Sequence, residues 1–373
     1  MIVENVLRPG FEALRDRFAA HFARDDEFRE LGAALVVYRH GEKVVELYGG
    51  WQDDAASQPW GERTLTNIWS ASKGVLALAI AQQVDTGVLD YDAPVARWWP
   101  EFAQAGKGSI TLGQVMSHRA GLNGFSEPTT AQDLYDWELV TARLARQAPL
   151  WQPGSLVAYH GMTYGWLAGE VLRRATGLTP RDYIAAHIAA PLQADLALGV
   201  PAARAADVAT IVPPQADGKA VELNSFAIHC VRNPVPDAAA ANQPGWRSAQ
   251  LPAVNVHASA DGLARLYAAL ANGGRLDGAT LLSPAGLARL VAPRGAAEDQ
   301  MLGARQWAAG VALSLGGLYG PRADAFGHSG WGGSFGCADP ASGRGIAYIT
   351  RRMGSALNGD PRARGLVELA TKM

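Results

Sequence analysis

Ser70-Ala71-Ser72-Lys73 is the one place in the 373 residues where a serine is followed three positions later by a lysine. Positions i and i+3 of a helix share a face, so this hydroxyl and amine would be neighbours. A lysine held beside a serine and partly stripped of water can accept or relay its proton. A helix start adds free N–H groups and a positive dipole end, which support a developing oxyanion. The same four residues would serve equally as an N-cap serine with a solvated lysine one turn later.

Two further segments could complete such a site. Tyr159 follows a Pro153-Gly154 turn and precedes a helical pattern. A tyrosine there can act as a general base where nearby positive charge favours its phenolate, or can be a core residue with its hydroxyl bonded to backbone. Gly327-His328-Ser329-Gly330-Trp331-Gly332-Gly333 packs many glycines into what reads as an edge strand. That density suggests backbone close to a ligand and an N–H free for an oxyanion, or simply a glycine-rich turn. A competing serine motif, Gly332-Gly333-Ser334-Phe335-Gly336, has the G-x-S-x-G spacing of a nucleophile elbow. An elbow needs a helix after its serine, whereas a turn and a strand are expected here, so Ser334 is set aside.

The elements that must position these residues follow from periodicity. Phe11, Leu14, Phe18 and Phe22 predict an opening helix over 11–30. Runs 33–38 and 44–48 around His40-Gly41 predict a hairpin. The segment after Ser70 is apolar nearly all round and predicts a buried helix with Gly87 just past its end. Further helices are expected up to Gly177, and from a capping Ser259 to Gly273. Residues 200–257 read as long loops over the site, 307–315, 326–340 and 344–353 as strands, and 361–372 as a last helix. The expected fold is an α/β (α+β) arrangement, with an antiparallel sheet flanked by helices. Residues 1–75 and 255–373 would build the sheet domain, and 76–254 a mainly helical insert.

Composition narrows the function. The chain is 48% hydrophobic and 18% charged with a formal net charge of -2, ordinary for a soluble globular protein. No basic face is implied, so neither nucleic acid nor an anionic membrane is an expected partner. The N-terminus brings in Glu4 and Arg8 without an apolar run, unlike a signal peptide, and no membrane span is expected. Cys230 and Cys337 lack metal or redox spacing and read as reduced core thiols. The cytoplasm is the expected compartment.

Taken together, Ser70-x-x-Lys73, Tyr159 and the 327–333 segment resemble the S-x-x-K, Y-x-N and K-T-G elements of class C β-lactamases and penicillin-binding proteins. The order matches, with separations of roughly 90 and then 170 residues. Met116–Leu122, the Trp151–Gly154 turn and Asn255–Gly274 resemble further landmarks of that superfamily. The Tyr159-His160 pair is closest to its carboxylesterase branch, the family VIII esterases. The resemblance implies the β-lactamase/transpeptidase-like fold, with Ser70 as nucleophile and Lys73 and Tyr159 as the base system. It also implies an oxyanion hole from the backbone N–H groups of Ser70 and Trp331, a substrate wall from His328, Ser329, Gly330 and Trp331, and no metal or organic cofactor. Two positions depart from the pattern: Gly161 stands where the family has asparagine, and His328 where it has lysine. A permanent cation for a substrate carboxylate becomes an imidazole, largely neutral at pH 7. The expected activity is hydrolysis of small carboxylic esters through an acyl-enzyme, with water activated by Tyr159. A β-lactamase or D-amino-acid peptidase or amidase on the same machinery is the alternative, and a non-catalytic binding protein the third reading.

Overall fold

In the computed structural model, which describes residues 2–215, 223–355 and 359–373, the chain opens on a strand. This strand, β1 (Ile2–Leu7), lacks clean alternation, and the expected opening on a helix is corrected by it. Helix α1 (Glu12–Phe22) follows and ends eight residues short of the expected limit at residue 30. Beyond that point Asp26 takes the Arg24 side chain and the Phe28 N–H, which form a local turn. The hairpin of β2 (Gly32–Arg39) and β3 (Glu42–Gly50) turns on His40 and Gly41, with φ of 49° and 84°. Two successive positive φ values match the right-handed twist of the flanking strands.

The C-terminal part of the chain adds four strands to this hairpin. β7 (Ala312–Leu313), β8 (Phe326–Ser329), β9 (Phe335–Asp339) and β10 (Arg344–Thr350) complete an antiparallel sheet ordered β1-β3-β2-β10-β9-β8-β7. The sheet is thus built from both ends of the chain, β10 lying against β2 from Arg344↔Arg39 to Thr350↔Ala33. Alternate residues of β2 serve two cores. Ala33, Leu35 and Val37 pack with Phe11, Leu14, Phe18 and Leu366, while Ala34, Val36 and Tyr38 pack into the larger core on the other face. A sheet covered on both faces explains why β2 reads as a continuous apolar run.

Between the two halves lies a largely helical stretch. Helix α2 (Ser72–Asp85) is buried almost all round and ends with Gly87 at φ 79°. α3 (Leu112–Met116), α4 (Trp137–Arg146) and α5 (Thr163–Thr176, closed by left-handed Gly177) follow. α6 (Ser225–Val231) and other short helical turns interrupt residues 200–257, which are less loop-like than expected. A small sheet, β4 (Thr66–Asn67), β6 (Val256–Ala258) and β5 (Leu196–Leu198) in that order, leads the chain into α2. α7 (Ala260–Ala271), capped by Ser259, covers one face of the large sheet, and α8 (Pro361–Lys372) the other.

Candidate functional site

Ser70 sits in a single 3₁₀ turn, Trp69–Ala71, that runs straight into α2. The Ile68 N–H is tied to Val256 O at 3.0 Å, which fixes where the turn begins. Trp69 holds φ at 49°, a left-handed conformation that costs a large side chain energy unless its surroundings enforce it. They do: its ring lies between Trp246 and Trp331, centroids 5.4 and 5.2 Å away.

One turn on, Lys73 is fully buried. Its Nζ lies 3.1 Å from Ser70 Oγ, 2.7 Å from Gly161 O and 3.2 Å from Ala253 O. Burial pushes its pKa down to about 7. As an ammonium it donates to all three oxygens; in its neutral form it has two hydrogens for the two carbonyls and a lone pair left toward Ser70 Oγ.

Tyr159 is buried beside this pair, its ring centroid 4.8 Å from Lys73 Nζ. Burial raises its pKa, with the Ser70 hydroxyl opposing the shift, so the phenol keeps its proton. Trp307 stacks on the ring at 5.6 Å and 15°. Asp299 accepts both the Tyr159 N–H (3.2 Å) and the Trp307 indole N–H (2.9 Å), and so holds ring and backbone together. His118, at the end of α3, packs 4.7 Å from Tyr159 and accepts the His160 N–H through Nδ1.

β8 carries the third element. It is not the edge strand: β7 covers Phe326 and Gly327, and only His328 and Ser329 run past it. A tight turn then returns to β9, with the Gly330 N–H donated to Ser334 O at 2.6 Å. The glycines answer to the protein itself. A side chain at Gly330 would overlap Ile68 O, and one at Gly332 or Gly333 would press on Met353 or Asp360. Gly332 O accepts from Arg362 at 2.8 Å and from the Gly354 N–H at 3.1 Å, anchoring the turn. Among the described residues no acceptor takes the Trp331 N–H. His328 is buried with Nδ1 2.9 Å from Ser329 O, and burial pushes its pKa down to about 3, so it is neutral.

Ser334 is buried in the sheet, where its Oγ accepts the Thr350 N–H at 3.2 Å. It is followed by the strand β9 rather than by a helix.

Two cavities flank Ser70. The small one, about 40 Å³, is lined by Ser70, Tyr159, Arg305, Tyr319, His328, Ser329 and Trp331 among others. The large one, about 360 Å³, is walled mainly by apolar side chains including Trp69, Tyr135, Met162, Trp246, Met301 and Trp331. Nothing in the residue pattern points to Asp299, Arg305 or Tyr319: Asp299 comes from a two-residue strand, Glu298–Asp299, and the other two from irregular segments. Cys230 is corrected too: Cys337 is a core thiol, but Cys230 is half-buried in the wall of the large cavity. Burial raises the Cys230 thiol to about 11. A side chain at Gly161 would come within 2.7 Å of its sulfur.

The family model described as Beta-lactamase matches residues 18–371. Over 344 residues the chain is 37% identical to "Esterase/beta-lactamase LipL" of Mycobacterium tuberculosis, covering 87% of this chain and 78% of that protein. The crystal structure of a penicillin-binding protein homologue from Caulobacter crescentus superposes with a TM-score of 0.93 at 42% identity, covering 99% of both chains. That of a family VIII carboxylesterase gives 0.93 at 39%, covering 100% of this chain and 99% of the other. No helix among the described residues is long and apolar enough to cross a membrane. With Ser70 and Lys73 in contact at the head of α2, and with these relatives along nearly its whole length, the chain belongs to the β-lactamase family and is a serine hydrolase of its esterase/β-lactamase group.

Proposed function

We propose that this protein is a carboxylesterase that forms an acyl-enzyme on Ser70. The observation that carries the reading is the Lys73 contact set: two carbonyls and one nucleophile around a fully buried amine. Lys73 takes the proton as Ser70 Oγ attacks the ester carbonyl. The N–H groups of Ser70 and Trp331 receive the developing oxyanion. The resulting ammonium returns its proton through the Tyr159 hydroxyl to the leaving alkoxide, and the base is neutral again for the attack of water. The protonated state of Tyr159 favours it as relay over the phenolate base expected from sequence.

Esters are favoured over β-lactams by two positions. Gly161 supplies no side-chain amide, and His328 supplies no charge. The small cavity beside Ser70, about 40 Å³, is small for a fused ring. The large apolar cavity suits a short alkyl or aryl group. The test is kcat/KM on a short-chain p-nitrophenyl ester against nitrocefin at pH 7, with mass detection of acylated Ser70. The ester is expected to lead by at least about tenfold, roughly 1.4 kcal/mol in transition-state stabilisation. Nitrocefin as the better substrate would replace this reading with the lactamase one.

A further inference from the structure

Arg305 is only 8% exposed, yet among the described residues its side-chain nitrogens donate to nothing and no carboxylate lies within ion-pair distance. Arg362 contacts Glu30 and Asp360 at 2.7 Å each and Arg351 contacts Asp54 at 2.7 Å, whereas Arg344, 5% exposed, shares with Arg305 the lack of a partner among the described residues but lines neither cavity beside Ser70. A guanidinium cannot shed its charge as a buried lysine does, so burial without a partner is strongly unfavourable. Arg305 faces the small cavity that also opens on Ser70. The Tyr319 and Ser329 hydroxyls stand in the same wall, 3.2 Å apart, so one of the two O–H groups remains free to donate. His328 adds no charge there.

We infer that the small cavity is an anion subsite in which Arg305 pairs with a carboxylate of the substrate, so that the preferred esters carry a carboxylate a few atoms from the bond that is cut. The inference rests on Ser70 as nucleophile, because the distance from Ser70 defines which carboxylates reach. The cavity admits a carboxylate on a slender chain. Its planar, two-oxygen form matches the fork of the guanidinium. The charged group can arrive on the acyl half, as in a half-ester of a dicarboxylic acid, or on the alcohol half, as in an ester of a hydroxy acid.

The experiment measures kcat/KM for two matched pairs at low salt. Mono-p-nitrophenyl succinate is set against p-nitrophenyl butyrate, and 4-acetoxybutyrate against butyl acetate. The expected result is a preference of at least about tenfold for the anionic member of one pair, and the pair that shows it identifies the half that enters the cavity. In Arg305→Gln that ratio falls to near one, and Arg305→Lys recovers part of it. Absence of preference in both pairs, or a ratio that survives Arg305→Gln, overturns the proposal. Because the variants could fold poorly, thermal unfolding of the Ser70→Ala protein is followed with added succinate. A saturable rise in Tm is expected, and none at a concentration that saturates a weak site overturns the subsite. If Ser70→Ala itself still turns over esters, the nucleophile assignment fails, while the succinate shift and the substrate ratios still report on Arg305.

Discussion

Among the described residues two lysines are completely buried, and they differ by one contact. Lys107 Nζ is surrounded by the carbonyls of Gln104 (2.9 Å), Ala145 (3.0 Å) and Gln147, and lies 5.2 Å from the ring centroid of Phe102. Lys73 has two carbonyls and, in the third place, Ser70 Oγ. Burial lowers both, Lys107 to about 8 and Lys73 to about 7. Three carbonyls can use all three hydrogens of an ammonium, which makes Lys107 a strut between loops. Two carbonyls and a hydroxyl also suit a neutral amine, in keeping with the base role proposed for Lys73. On that proposal it is the third partner, and not burial alone, that separates the two lysines.

The sharpest break of this contrast is removal of that partner. Ser70→Ala is expected to cost at least about 10⁴-fold in ester turnover, since groups acting as one unit fail together. Lys73→Met should follow with a loss towards the upper end of 10²–10⁴-fold in kcat, measured by initial rates on folded protein. Tyr159→Phe, which keeps the stacking on Trp307, should lower kcat by about 10²-fold with an unchanged circular dichroism spectrum. A variant within about threefold of the parent would make Tyr159 a core residue only.

The pH profile tests the same contrast without mutation. Lys73 must be unprotonated to accept from Ser70, and its pKa is lowered, so kcat/KM should be high above about pH 7 and fall roughly tenfold per unit below it. His328→Gln should leave that limb in place, because His328 is neutral throughout the range. Placing a lysine at 328 would instead bury another cation beside Lys73 and Arg305, and lower stability. The smallest effects on rate fall on the strut and the sheet serine. Lys107→Met should lower stability by roughly 2–4 kcal/mol by stranding three carbonyls, with turnover per folded molecule within about threefold. Ser334→Ala should also stay within about threefold. Large rate losses in either would erase the distinction.

What was legible in the sequence was local. Ser70 and Lys73 meet because three residues of helix bring them together, and the ends of α2, α5 and α7 were marked by Gly87, Gly177 and Ser259. Tyr159 and β8 were found by order along the chain, which a resemblance can carry. Local patterns failed where distant segments decide. β1 shows no alternation because only its pairing with β3 makes it a strand. The expected strand over 307–315 shrinks to Ala312–Leu313, since Gly310 at φ 90° turns the chain beneath the Tyr164 hydroxyl. Asp299 and Arg305 reach the site from a short strand pair and the loop after it, ahead of β7, and nothing in their neighbours' spacing announces them.

The pairing of β2 with β10 has a consequence for how the protein is made. Arg39 leaves the ribosome about 300 residues before its partner Arg344. At roughly 5–20 residues per second, the apolar edge of β2 waits on the order of 15–60 s for the strand that closes it. Until then Leu35 and Val37 have no cover from β10, and the turn that offers the Trp331 N–H does not exist. A nascent chain of this kind is a natural client of chaperones that shield strand edges, and no fragment ending before residue 350 can hold the site.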